Sequence, residues 1–173
     1  MHSTEHKDEV IAVDADEGTL EEVSPELLPD FAVLSADTPR LQVAHWVLPA
    51  AIRVGVPIMR VNAQGVGPLA IPGEDTACAL CDWRERVDAL PDGDRLVDYR
   101  RNVQLPRTVN SATISTEVAV YASLAAQEVI HFLTGMAPPN TINARLVARL
   151  VNASFERRPV RRDPDCPACG TRS

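Results

Sequence analysis

The sequence predicts an α/β domain: part of a Rossmann-type sheet with flanking helices, and a C-terminal β-hairpin stapled to the middle of the chain by zinc. Three observations carry this expectation. Apolar β-type runs at residues 31–35 and 57–63 flank a helical stretch, and the first run has the continuous pattern of a buried parallel strand. A helical stretch with a broad apolar face at 109–133 precedes two β-type runs. The four cysteines fall into two Cys-x-x-Cys pairs, Cys78 with Cys81 and Cys166 with Cys169.

The elements follow in order. Residues 1–8 are polar and charged and are expected to form a disordered tail, leaving 9–173 as one domain. Residues 10–13 (VIAV) form a short β-type run, and 18–29 are acidic, with Ser24-Pro25-Glu26 opening about one helical turn. After the 31–35 run, Asp37-Thr38-Pro39 supplies a cap and a first-turn proline for a helix to about Val54, which Pro49 should kink or shorten. A strand follows at 57–63, then a turn at Gly65-x-Gly67-Pro68 and another strand at 69–71. Residues 83–87 suit a short helix. Residues 88–106 read as a long loop, a length usually functional or disordered in a compact domain. Gly135 closes the long helix. Residues 142–151 and 155–161 form the hairpin around Asn152-Ala153, with its arginines on the polar face.

Charge excludes one class of function. The net charge is −7, against general nucleic-acid binding, and no apolar run is long enough to span a membrane. The charge is uneven. Residues 1–30 hold ten acids against Lys7, the one lysine of the chain, whereas from Arg145 onward seven arginines face Glu156, Asp163 and Asp165. These ends can be solvated faces, can attract each other, or can sort a charged partner.

A two-residue spacing lets both sulfurs of a pair reach one ion, and four thiolates complete a tetrahedral zinc site. Two disulfides, a redox motif and chance are the alternatives. The polar start, with no apolar signal segment, points to the cytoplasm, where disulfides are rare. A redox motif needs one pair, not two. Zinc is therefore expected, one per chain, structural because four thiolates leave no open position. It would close the long loop between the pairs.

The run FAVLSAD, a helix, a strand after GVP, GVGPLAIPG, CALC, a long loop, an alanine-rich helix ending in TG, a hairpin and CPACG together resemble the E1-like (ThiF/MoeB/ubiquitin-activating) superfamily. The resemblance covers nearly the whole chain from about Val10, and matches only the C-terminal two-thirds of that fold. It implies that Asp37 stands where the family keeps an aspartate near the nucleotide and its metal ion. It also implies that residues 88–106 correspond to the crossover loop over a bound peptide tail. E1-like enzymes adenylate a peptide C-terminus and need a glycine-rich phosphate turn. No GxGxxG can be drawn through glycines 18, 55, 65, 67, 73, 93, 135 and 170, and with four cysteines on zinc no thiol remains for a thioester. Asp37 then reads as a helix cap, and no catalytic residue is expected.

Stand-alone truncated E1-like proteins of this kind resemble partner proteins of ribosomal peptide natural product biosynthesis, crocagin-type pathways among them. The resemblance thus implies a non-catalytic protein that holds a precursor peptide for peptide-modifying enzymes. Candidate peptide contacts are Met59, Arg60, Asn62 and Gln64 on the strand after the kinked helix, with Arg100, Arg101 and Asn110 around the long loop. Each can equally be an ordinary sheet or loop residue. One half of a split adenylating enzyme and a structural scaffold are the competing expectations. An exposed apolar edge at 31–35 is an aggregation hazard, so a homodimer is expected, burying either that edge or the apolar helix faces.

Overall fold

The computed structural model describes residues 28–35, 40–93 and 115–170. Among these residues five strands form one sheet in the order β1 (Ala32–Leu34), β2 (Ile58–Asn62), β3 (Gly65–Ala70), β4 (Ala144–Arg149) and β5 (Ser154–Pro159). Helix α1 (Arg40–Arg53) joins β1 to β2, α2 (Ala79–Asp88) follows β3, and α3 (Ser115–Thr134) precedes β4. The sheet is mixed: only β1 and β2 are parallel, and the remaining pairs are antiparallel.

Alternation along β2 and β3 divides the core into two layers. Ile58 and Ala70 face α1, where they meet Ala44, Leu48 and Ala51 together with the cysteines. Met59 and Leu69 point the other way, onto Tyr121 and Ala125 of α3. Tyr121 ties the second layer down: its hydroxyl donates to the Ala148 carbonyl at 3.0 Å and accepts from the Ala148 N–H at 3.3 Å. Phe31 and Phe132 pack with ring centroids 5.3 Å apart. Among the described residues no helix is long and apolar enough to cross a membrane.

Four local expectations change. Among the described residues the 31–35 run lies at a sheet edge, as the resemblance implied, and is not the doubly buried strand that its continuous apolar pattern suggested; Val33 is 47 % exposed. Helix α3 packs over β2, β3 and β4 and reaches toward β1 through the contact of Phe132 with Phe31. The expected Gly65-x-Gly67-Pro68 turn and the 69–71 strand are one buried strand, β3, and the chain reverses at Ala63 and Gln64 instead. Glycine is needed there because a Cβ on Gly65 would lie 2.4 Å from the Leu146 carbonyl oxygen, and one on Gly67 2.8 Å from that of Ala144. Both also have positive φ, 143° and 90°, so the glycines permit close approach of β3 to β4.

The short helix expected at 83–87 starts earlier, at Ala79, inside the first cysteine pair. The hairpin forms as expected, turning through residues 150–153 with Ala153 at φ 51°. One of its arginines leaves the polar face, because Arg145 is buried. Helix α1 runs through Pro49 as one element of 14 residues. The expectations for residues 1–8, the 10–13 strand, Asp37 and most of the 88–106 loop lie outside the described residues.

Candidate metal centre

The two cysteine pairs are built by different local means. Cys78 is the N-cap of α2, and Cys81 lies in its first turn, so helical winding turns both sulfurs to one side. The second pair sits on a tight knuckle in which the Cys166 N–H donates to the Asp163 carbonyl at 3.1 Å and the Gly170 N–H to the Cys166 carbonyl at 2.9 Å. A Cβ on Gly170 would meet the Pro164 and Cys166 carbonyl oxygens at 2.4 and 2.5 Å, so only glycine closes this loop.

All four cysteines are buried and unbridged, and their sulfurs lie within 4.8 Å of one another. Sγ separations are 3.9 Å between Cys78 and Cys81, 3.5 Å between Cys78 and Cys166, and 3.3 Å between Cys81 and Cys169. A disulfide would need about 2.05 Å. Four thiolates at about 2.3 Å from one tetrahedral ion would stand about 3.8 Å apart. The donor set therefore fits a single thiophilic ion, with no position left for substrate. The Asp163 N–H donates to the Cys81 sulfur at 3.5 Å, an interaction that stabilises a thiolate.

The protons of the cluster are unequally shared. Hydrogen bonds from Cys169 and Cys78 hold the Cys166 thiol far below its ordinary range. The corresponding bonds to Cys166 push Cys78 and Cys169 well up, and burial adds to both shifts. Cys81 is lowered to about 7: its bond with Cys166 raises it, but those with Cys169 and Cys78 outweigh that effect. Four buried sulfurs this close stabilise thiolate in part of the set, the form that a metal requires.

Side chains around the cluster fasten it to the sheet. Asn143, at φ 51°, accepts the Ala77 N–H at 2.7 Å and donates to the Asp75 carbonyl at 3.3 Å. Arg162 pairs with Asp75 at 2.8 Å, and its Nε donates to the Cys169 carbonyl at 2.9 Å. Arg84 reaches Asp163 at 2.8 Å. Directly after Cys81, Asp82 is buried and receives Arg145 at 3.2 Å and Arg86 at 3.0 Å. Burial lowers the pKa of Arg145, and the Asp82 carboxylate opposes that shift.

None of these supporting residues was singled out in the sequence. Asp82 carried one usable signal, its position beside a cysteine in the first turn of a helix. Glu128 carried another, because it falls on the same α3 face as Tyr121 and Ala125. It is 2 % exposed, and its carboxylate accepts from the Thr141 N–H and hydroxyl, both at 2.8 Å, and from Asn140 at 3.0 Å.

Of the candidate peptide contacts, four lie among the described residues. Met59 is fully buried in the α3-side core, where the Thr141 hydroxyl lies 3.6 Å from its sulfur. Arg60 and Asn62 are half-buried on β2, and Gln64 is exposed in the turn, accepting from Arg86 at 2.7 Å. Asn62 accepts the Gln64 N–H at 2.8 Å and so shapes that turn. Arg100, Arg101 and Asn110 lie outside the described residues.

A mixed sheet with helices on both faces, and a C-terminal hairpin whose tail returns to a mid-chain cysteine pair, defines an E1-like α/β domain. The chain belongs to the ThiF family, whose sequence profile matches residues 7–168. No curated protein matches the sequence. Among solved structures, that of E. coli MccB with ATP is 25 % identical with a TM-score of 0.63, and the match covers 90 % of this chain and 42 % of that one. A structure of E. coli MccB with MccA is 26 % identical with a TM-score of 0.63, over 92 % of this chain and 44 % of that one. The heterocyclase TruD shares the fold at 23 % identity and a TM-score of 0.57, over 82 % of this chain and 22 % of that one. The chain thus spans less than half the length of these MccB structures.

Proposed function

We propose that this protein binds a ribosomally made precursor peptide and holds it for modifying enzymes, without catalysing a reaction itself. The observation that supports this most is the likeness, over 92 % of the chain, to MccB solved with MccA, which is a precursor peptide. The likeness extends over only 44 % of MccB, and no glycine-rich phosphate turn can be drawn in the sequence. In this reading Cys78, Cys81, Cys166 and Cys169 hold one zinc ion, which is structural. Residues 9–173 act as one domain, assembled as a homodimer in the cytoplasm. Arg60, Asn62 and Gln64 on and after β2, with Arg100, Arg101 and Asn110, remain the peptide contacts to test, and Met59 would support them from the core. Calorimetric titration of the full chain with its cognate precursor tests the reading. Binding that weakens in Arg100→Ala and Arg101→Ala is expected, and no binding by the parent chain overturns it.

A second reading has its own support. MccB has been solved with ATP, and members of the family are adenylating enzymes. The chain would then be one half of a split enzyme whose phosphate-binding half is a separate polypeptide. ATP–pyrophosphate exchange in the presence of the precursor distinguishes the two. The binding reading expects none from this chain alone or with neighbouring gene products.

A further inference from the structure

The face of β4 and β5 turned toward α2 gathers four arginines around two carboxylates. Across the two strands Arg145 is paired with Arg158, Val147 with Glu156 and Arg149 with Ser154. Alternation puts Arg145, Val147 and Arg149 on one face of β4, the face on which Arg145 meets Asp82 of α2 at 3.2 Å. Asp82 Oδ2 is shared by Arg145 and Arg86, and Glu156 Oε2 by Arg149 at 3.6 Å and Arg158 at 2.9 Å. Four guanidinium charges thus face two carboxylate charges. Half-buried Val147 forms an apolar floor between the two sets.

The shortage of anions extends to buried donors. The Arg145 side chain is 7 % exposed, yet among the described residues its Nε has no hydrogen-bond partner. The same holds for the buried Nη2 of Arg86, which meets Asp82 at 3.0 Å as an ion pair alone. A buried N–H without an acceptor is destabilising, and arginine cannot lose its proton to relieve it. The stem of Arg145 lies over Gly65, where a Cβ would come 3.0 Å from its Cγ. Gly65 neighbours Val147 in the register that pairs Val66 with Leu146, so the unfilled donor is aimed at the Val147 row. The charges act together: the hydrogen bond from Arg158, then the charges of Arg158, Arg149 and Arg145, hold the Glu156 carboxyl below its ordinary range. Arg149 and Arg158 open this cluster to solvent, with side chains 55 % and 36 % exposed.

We propose that the cluster is a binding site for a further carboxylate, an acidic side chain of a bound peptide, received over Val147 by Arg145, Arg149 and Arg158. The proposal rests on the peptide-binding reading and gives the peptide its chemistry. A guanidinium fork matches a planar carboxylate, and both anions already held there are carboxylates shared by two arginines. The alternative is that the arginines only brace α2 against the hairpin.

The full chain is titrated at constant ionic strength with a synthetic peptide alternating alanine and glutamate, its glutamine counterpart, glutarate, and inorganic phosphate. Binding is read by NMR from the Nε–Hε resonance of Arg145. The glutamate peptide is expected to shift that resonance saturably, and the glutamine peptide to bind about tenfold more weakly, as loss of one charge-assisted hydrogen bond requires. Arg149→Ala/Arg158→Ala should weaken the glutamate peptide to the same degree with the α3 amide resonances unmoved, whereas Arg161→Ala, an exposed arginine beyond β5, should not weaken it. Equal affinity for the two peptides overturns the site, as does tighter binding of phosphate or glutarate than of the glutamate peptide. The cognate precursor separates this proposal from the reading beneath it. Equal binding of the precursor by the parent and Arg149→Ala/Arg158→Ala overturns the site and leaves peptide binding standing. A precursor that fails to bind, while the glutamate peptide still moves Arg145, overturns the precursor reading alone.

Discussion

Arg145 Nη1 lies 3.2 Å from Asp82 Oδ2, across 63 positions of sequence, and both side chains are buried. The pair joins the first residue after the Cys78/Cys81 motif to the strand that leads into the hairpin. Metal loop and sheet are therefore fastened by a charge contact as well as by sulfur. Removing one partner from such a pair strands the other charge in a medium that solvates it poorly. Asp82→Ala should destabilise the chain by about 3–5 kcal/mol. Asp82→Leu with Arg145→Met should recover most of that loss, as followed by urea denaturation. Equal stability of Asp82→Ala and the parent would refute the role given to the pair.

The cysteine cluster makes a prediction about metal content and its consequences. Elemental analysis should return one zinc per chain, and Cys166→Ser should abolish stoichiometric binding. Structural zinc sites contribute about 10–16 kcal/mol in small peptides, but this domain has two apolar cores of its own. A smaller loss of about 3 kcal/mol is expected, or roughly 6–12 °C in Tm for a chain of this size. Exchange protection should fall first in residues 160–170 and last in α3. An unchanged Tm in Cys166→Ser would show that the tail docks without metal.

Glu128 offers a test away from the metal. Its carboxylate receives both polar donors of Thr141, and the Thr141 side chain packs against Gly67 of β3. Glu128→Ala would leave a buried N–H and hydroxyl without their acceptor, at a cost of about 2–4 kcal/mol. Glu128→Gln keeps an acceptor and should cost less. Thermal unfolding of the two variants ranks them, and the reverse order would contradict the assignment.

The homodimer has two possible surfaces, and they separate cleanly. Ile130 and Leu133 are exposed on the side of α3 turned away from the sheet, and Val33 is exposed on the β1 edge. Light scattering at micromolar concentration should give the mass of two chains. Ile130→Glu/Leu133→Glu should give one chain if the helix face is the interface, and Val33→Glu should do so if the edge is. A monomeric parent chain refutes the dimer itself.

Much of the candidate site was legible because its geometry is local. A Cys-x-x-Cys spacing implies converging sulfurs whichever element carries it, and here a helix N-terminus and a knuckle both provide it. The hairpin around Asn152-Ala153 and the helix spanning Pro49 were likewise marked by neighbouring residues. The peptide contacts were less accessible. Met59 reads as a strand residue in sequence, but the packing of α3 determines that it faces the core.

The sequence by itself determined the α/β class, the two cysteine pairs, the hairpin turn and the separation of acidic and basic ends. Each depends on residue type and on spacings of a few positions. Tertiary structure alone decided that Gly65–Ala70 is a central strand, that Arg145 is buried on Asp82 and that Glu128 holds Thr141. Those outcomes depend on which distant segments come into contact. A buried charge is tolerated only where its partner arrives from elsewhere in the chain, and no local periodicity records that partner.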